Sequence, residues 1–490
     1  MLRYVRSRIA IGATLAVSAV GTCAAADTMA GAYLTARHAL ENHDYTVAAD
    51  AYARLMDGAP EGATLSDAAI TSHVVSGAFE VAVDTAAPYV SGADNPQIPR
   101  LVAMADRIRS GRWAEVSALL DAGPVVGVQL DQIIGAWAMV ERGAATEGAA
   151  ALEAMLEDEG FGALAGHHLA LVKAGEVEAG PAISEVLLAV AQALEGHAKA
   201  DYVLLYCRLA EVLAPDSTQA IFTSANMLHE LRQYDLAVET LMQVPASDAS
   251  YLDAQLKRAR VLRDAGRIED AVSLVENIAA VTNDVPRVHE KLGNLYRHVD
   301  RYADARAAYD RALELQGDMQ DWYVLYTRAI ISEELGEWDK AEADLRAALK
   351  LSPDQPYLLN YLGYALVEQD RNLTEALSMI EAAVEAKPEN GYIRDSLGWA
   401  YFKLGNMGDA VTHMERAVEL EPMDPTINDH LGDVYWTVGR EAEARFQWSR
   451  ALSLNPSEEA KAEIVRKLDH GLDLVDATEA LEVMVTSDES

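Results

Sequence analysis

The chain has 490 residues, 50% hydrophobic and 24% charged, so it is a folding chain with room for two or three domains or one long repeat array. Its 77 acidic residues against 40 basic ones give a formal charge of −37, which argues against DNA, RNA or an anionic lipid surface as a bulk partner. Two Cys exclude a disulfide scaffold and a cysteine-based structural zinc site, and a composition with only 5 Phe and 15 Pro, leaning on Ala and Leu, favours helix over sheet.

At the N-terminus Arg3, Arg6 and Arg8 precede an uncharged run from 9 to 21, and Ala24-Ala25-Ala26 follows. The run is too short for a membrane-spanning helix, which needs roughly 20 apolar residues. The pattern predicts a secretory signal peptide over 1–26, cut after Ala26, and hence an exported, periplasmic protein. A second reading stays open. Val20-Gly21-Thr22-Cys23 resembles a bacterial lipoprotein box, although Thr22 stands where Gly, Ala or Ser is usual. Lipidation of Cys23 would then anchor the chain in the envelope, and only in that case is a membrane a partner. With the cut after Ala26, Cys207 is the one Cys left, and it reads as a packing residue of an apolar helix.

Residues 27–217 read as divergent helical repeats, with a separate helical domain as the rival for 61–217. Ala48, Tyr52, Leu55 and Pro60 open the segment with a spacing of 4, 3 and 5. Helical stretches are predicted over 101–120, 129–141, 149–157, 182–194 and 202–213. The run from Gly160 to Ala165 imitates a dinucleotide-binding loop, but it follows a helical, acidic run ending in Asp158-Glu159 rather than a strand, and those charges would repel a pyrophosphate. His167 and His168 are predicted at the surface.

From 218 a ladder of alanines appears. Ala237, Ala271, Ala305, Ala341, Ala376, Ala410 and Ala444 are spaced 34, 34, 36, 35, 34 and 34 residues apart. Four residues after each stands a larger apolar residue: Leu241, Val275, Tyr309, Leu345, Ile380, Met414 and Trp448. Three further on come Val244, Ile278, Ala312, Ala348, Ala383, Ala417 and Ala451. These steps place the three residues of each set on one helical face. Leu292-Gly293, Leu362-Gly363, Leu397-Gly398 and Leu431-Gly432 mark a preceding helix, and Gly266, Gly336, Gly405 and Gly439 mark the turn between the two. Each pair buries only part of its apolar surface, so neighbours must stack.

On these residues the segment resembles the tetratricopeptide repeat family, most closely in 391–422 and 425–456. The resemblance implies seven units over 218–456 in an all-α, right-handed solenoid of antiparallel helix pairs. Residues 457–490 are predicted as a capping helix, begun by Ser457, and a frayed tail.

No P-loop, HExxH or GxSxG motif is present, and His229-Glu230 and His289-Glu290 lack the second His of a zinc helix. The chain therefore reads as a non-catalytic protein without cofactor or metal, and its expected partner is a protein or peptide. In the family the first helix of each pair lines a concave groove. That resemblance puts Lys257, Arg260, Arg287, Lys291 and Asn294 on a basic stretch of the groove, suited to an acidic segment or a C-terminus. It puts Tyr361, Tyr364, Asp395, Trp399, Asp429, Asp433 and Trp436 on an aromatic and acidic stretch. The competing reading is a solvated face for the bases and inter-helix packing for the aromatics. The family's carboxylate clamp carries over only to Asn226, Arg287 and Lys291, because Phe222 and Lys257 depart from it. The chain reads as a binding scaffold, or alternatively as an adaptor for a periplasmic protease or a component of envelope or polysaccharide export machinery.

Overall fold

The computed structural model describes residues 28–56, 63–91 and 96–472. The signal segment with Cys23, Pro60 of the opening repeat and the tail from 473 lie outside the described residues. Among those described, the regular structure is 26 α-helices and one 3-10 turn, with no strand. The chain is thus all-α. It divides into two compact units at Val281 and Thr282.

In the unit from 282 onward the helices come in consecutive pairs: Pro286–His298 with Tyr302–Gln316, Trp322–Glu334 with Trp338–Leu351, Pro356–Glu368 with Leu373–Ala386, Gly391–Lys403 with Met407–Leu420, and Pro425–Thr437 with Glu441–Ser453. Glu458–His470 packs after the last pair. Every alanine of the ladder in this unit is fully buried, as are Tyr309, Leu345, Ile380, Met414 and Trp448. The facing helix explains why. A Cβ on Gly293 would stand 2.6 Å from the Tyr309 ring, one on Gly363 2.6 Å from Ile380, and one on Gly398 2.8 Å from Met414. One on Gly432 would strike Trp448. Glycine on the first helix therefore admits the large apolar residue of the second.

The turns inside the pairs need one residue in the left-handed region, where φ is +74° at Gly336, +77° at Gly405 and +79° at Gly439. Asp300 and Asp370 hold the same place in the two pairs without a turn glycine, with φ of 58° and 51°. Starts are set locally. Pro286, Pro356 and Pro425 occupy first-turn positions, and Asp321, Asn390, Asp424 and Ser457 accept backbone N–H bonds as caps.

The 28–281 unit contains four helices of the ladder segment, from Thr218–Glu230 to Ile268–Val281, together with everything described upstream. Its packing is not purely between neighbours. Ala200–Leu213 touches Ala63–Val75 and Gln97–Arg109 as well as the helices beside it, and ten of its residues are buried, Cys207 among them. Tyr202 Oη donates to Gln97 Oε1 at 3.1 Å across 105 residues of chain. A strict solenoid makes no such contacts.

Three expectations are corrected in this unit. The stretch 101–120 is two helices, Gln97–Arg109 and Trp113–Asp121, because Gly111 turns the chain at φ +67°. The stretch 149–157 ends sooner, as Ala145–Glu153. His168 is not at the surface. It is fully buried, accepts the Trp137 Nε1–H at 3.2 Å, and burial with the neighbouring His167 lowers its pKa to about 4. The loop-like run at Gly160 is a helix entry, with Asp158 Oδ1 accepting the N–H groups of Gly160 and Phe161.

Candidate partner-binding face

From Trp322–Glu334 onward, the first helices of the 282–472 unit are bonded to one another through several of the candidate residues. The bonds have a common logic, in which a group on one first helix is held by the next. Tyr361 Oη donates to Glu333 at 2.7 Å, and the Tyr361 and Tyr326 rings meet edge to face at 5.3 Å. Trp399 Nε1 donates to Glu368 at 2.6 Å. The Trp399 ring stacks on His430 at 4.3 Å and on Phe402 at 5.0 Å.

At the C-terminal end the links become buried charge pairs. Asp395 is 1% exposed, and both its carboxylate oxygens lie 3.1 Å from His430 Nδ1. Burial alone would lower the His430 pKa, but the Asp395 carboxylate overrides it and holds the imidazole above its ordinary value. Lys467, from the last helix, is 2% exposed. Its Nζ reaches Asp429 at 2.9 Å, Asp433 at 2.8 Å and Glu463 at 3.2 Å. Burial works against the Lys467 charge, yet Asp433 and Asp429 hold its pKa well above the usual value. Burial and the adjacent Asp433 push the Asp429 carboxyl up to about 7, against the pull of Lys467. Trp448 Nε1 donates to the other oxygen of Asp433 at 2.9 Å.

These contacts decide the placement of each candidate. Asp395, Asp429 and Asp433, which the resemblance puts on the groove, are buried and bonded within the chain, because His430 and Lys467 arrive from later helices of the stack. Tyr361 and Tyr364 are likewise buried. Trp399 and Trp436 are half-buried, and Arg445 and Gly471 lie against the Trp436 ring. Asn294 accepts the Tyr309 hydroxyl at 2.8 Å. The aromatic and acidic stretch is therefore largely the seam between first helices.

The bases divide between the units. Lys257 and Arg260 belong to the 28–281 unit, where Lys257 Nζ sits over the Phe222 ring at 5.1 Å and Arg260 is exposed. Arg287 and Lys291 belong to the other unit and are exposed; Lys291 reaches Glu290 at 2.9 Å. What sequence reasoning passed over is Lys467. It lies 34 residues after Asp433, the same offset that relates Asp395 to Asp429, so the repeat period itself could have placed it opposite the two carboxylates.

Among the described residues no cluster of His, Cys, Asp and Glu has metal-binding form, and no helix is long and apolar enough to cross a membrane.

Residues 256–320, 326–391 and 396–459 match a family profile described as tetratricopeptide repeat. A TPR repeat-containing protein of Pseudomonas aeruginosa is 28% identical over 192 residues, 39% of this chain and 32% of that protein. The cytochrome c-type biogenesis protein CycH of Rhizobium meliloti is 30% identical over 137 residues, 28% of this chain and 35% of that protein. The chain thus spans about a third of the length of these relatives. Among solved structures, the Cut9–Hcn1 hetero-tetramer of APC/C has a chain covered to 96%, with 91% of this one, at 15% identity and TM-score 0.43. YrrB, described as a TPR protein with an unusual peptide-binding site, is covered to 86%, with 34% of this chain, at 20% identity and TM-score 0.30.

Proposed function

We propose that the chain is a protein–protein interaction scaffold of the tetratricopeptide repeat type, whose profile matches 256–320, 326–391 and 396–459, and that it holds its partner on the first helices of the 282–472 unit. The observation that carries this reading is the run of cross-repeat bonds on that face, from Tyr361–Glu333 through Trp399–Glu368 and Asp395–His430 to Lys467. They fix the first helices from Trp322–Glu334 onward before any partner arrives, so binding need not order them. Arg287 and Lys291, exposed on Pro286–His298 at the start of the unit, supply positive charge to an otherwise acidic chain and suit an acidic segment of the partner.

The test is reversal of both, Arg287→Glu with Lys291→Glu, against the partner recovered by cross-linking in envelope extract. Association should slow roughly tenfold at low salt and lose most of its salt dependence. Equal rates for both proteins across salt would remove the basic residues from the reading.

The charged, apolar and small-residue regions of 1–26 support export with cleavage after Ala26, and the Cys23 alternative supports an envelope-anchored form. N-terminal sequencing of protein purified from its native host should begin Asp27-Thr28-Met29. A blocked N-terminus carrying lipid on Cys23 would replace the periplasmic reading with the anchored one.

A second reading, an adaptor within envelope assembly machinery, is favoured by the similarity to CycH, whose name places that protein in cytochrome c biogenesis. Loss of covalently haem-bound cytochromes on deletion of the gene would support it, and unchanged cytochromes would dismiss it.

A further inference from the structure

In a chain with 77 acidic residues against 40 basic ones, an arginine without a partner stands out. Arg297 is such a residue. It is half-buried, its guanidinium makes no ion pair or hydrogen bond among the described residues, and its Nε is sheltered from solvent without an acceptor. The other arginines of the 282–472 unit all have partners, as Arg306 has in Glu337 and Arg328 in Asp344.

The repeat shows what is unusual about its position. Arg297 and Glu333 are each the penultimate residue of a 13-residue first helix. They lie 36 residues apart, as do Ala305 and Ala341 on the helices that follow. Glu333 uses the position to accept the Tyr361 hydroxyl from the next first helix. Arg297 brings a cation to the same place. Its helix packs against Trp322–Glu334, and its charge reaches the hydroxyls of Tyr326 and Tyr309, which burial raises to about 12 against the opposing pull of Arg297. Tyr309 Oη already donates to Asn294 at 2.8 Å. The Tyr326 hydroxyl donates to no group among the described residues, and its ring is held edge to face against Tyr361 at 5.3 Å. The acids nearby are engaged elsewhere, Glu333 by Tyr361 and Glu290 by Lys291 at 2.9 Å.

Arg297 and Tyr326 therefore offer donors and no local acceptor. A guanidinium has no acceptor of its own, and a phenol raised to about 12 keeps its proton. Sheltering such donors unpaired is costly, so the arrangement is completed by an acceptor from outside, and a negative one balances the charge as well. The guanidinium fork matches the two oxygens of a carboxylate, whereas phosphate sites gather several arginines.

We propose that Arg297 and the Tyr326 hydroxyl bind a carboxylate of the partner, from an acidic side chain or from its C-terminus. This rests on the scaffold reading above and names the group that holds the partner's acid. Both residues stand apart from the family's clamp positions at Phe222, Asn226, Lys257, Arg287 and Lys291.

The probes are two short fluorescent peptides titrated into the full chain, one of glutamate with an amidated C-terminus and one of glutamine with a free C-terminal carboxylate. Saturable binding of at least one is expected, the first marking a side-chain carboxylate and the second a terminus. Arg297→Gln should weaken that binding at least about tenfold. Arg297→Lys keeps the charge but loses the fork and should bind more weakly than the parent. Tyr326→Phe keeps the ring against Tyr361 and should also weaken binding. Arg297→Gln should melt like the parent, because the guanidinium has no bond to lose. No saturable binding of either peptide, undiminished binding by Arg297→Gln, or a lower melting temperature for that variant overturns the proposal. The recovered partner separates the two readings. If it binds Arg297→Gln on the first helices as tightly as it binds the parent, the scaffold stands and the carboxylate site falls; if it binds elsewhere on the parent, both fall.

Discussion

Replacing Lys467 with Ala is expected to destabilise the C-terminal end of the 282–472 unit by about 3–5 kcal/mol. The ammonium is buried between Asp429 and Asp433 and within reach of Glu463. Its removal leaves carboxylates in the interior without a counter-charge, and that uncompensated burial costs more than the pair gained. Hydrogen exchange on the intact chain should show faster opening over Pro425–Thr437 and Glu458–His470. The triple change Lys467→Met, Asp429→Asn and Asp433→Asn removes the cation and both carboxylates together and should recover much of the loss. Exchange unchanged by Lys467→Ala would show that water already reaches the pair. Acidity should act in the same place. Asp429 and His430 both hold protons more tightly folded than unfolded, so their contribution to stability falls as pH rises from about 4 toward 7 and beyond. His413, lowered by burial, acts in the opposite sense. The clean readout is therefore a difference, with the pH slope of the parent exceeding that of Asp429→Asn between pH 5 and 8.

Trp448→Ala should cost about 3–5 kcal/mol, the range for emptying a buried aromatic site. Trp448 is fully buried, fills the space that Gly432 leaves open, and bonds Asp433. The change opens a cavity between the two helices of the last pair and strips a partner from a buried carboxylate. Trp448→Phe keeps most of the volume and should cost less, mainly through the lost Nε1–H bond. The reciprocal change, Gly432→Ala, overpacks the same contact and should cost about 1–3 kcal/mol. Urea midpoints that ranked Trp448→Phe with Trp448→Ala would assign the effect to the hydrogen bond rather than to packing.

Much of the fold was legible because it repeats. The ladder of Ala305, Ala341, Ala376, Ala410 and Ala444, with the large residue four places on, encodes the contact between paired helices directly. Its glycine partners could be found from the same period. The left-handed turn residues were legible only where they are Gly336, Gly405 and Gly439; Asp300 and Asp370 do the same work without the composition that signals it. Upstream, where contacts run between distant segments such as Tyr202 and Gln97, no period carries them. Gly111 broke a helix that apolar periodicity ran through. His168 is buried because Trp137 offers it a hydrogen bond, a contact between helices that neighbouring residues do not announce.

The candidate face was legible in outline and not in detail. Placing first-helix residues by repeat position grouped Asp395, Trp399, Asp429 and Asp433 on one stretch of the groove. It could not tell a row that faces a ligand from one that faces the next repeat. That distinction depends on what the following helix brings: His430 for Asp395, Lys467 for Asp429 and Asp433. The second residue of the first helix stays exposed at Tyr323, Tyr357 and Tyr392, although the Tyr392 hydroxyl reaches Asp424 at the cap of the next first helix.

Hydrogen exchange of the intact chain, with and without the recovered partner, tests the central claim most directly. Partner-dependent protection should appear in Trp322–Glu334, Pro356–Glu368 and Gly391–Lys403 and exceed that in the paired second helices, Trp338–Leu351, Leu373–Ala386 and Met407–Leu420. Protection confined to the second helices, or absent from this unit, would contradict it.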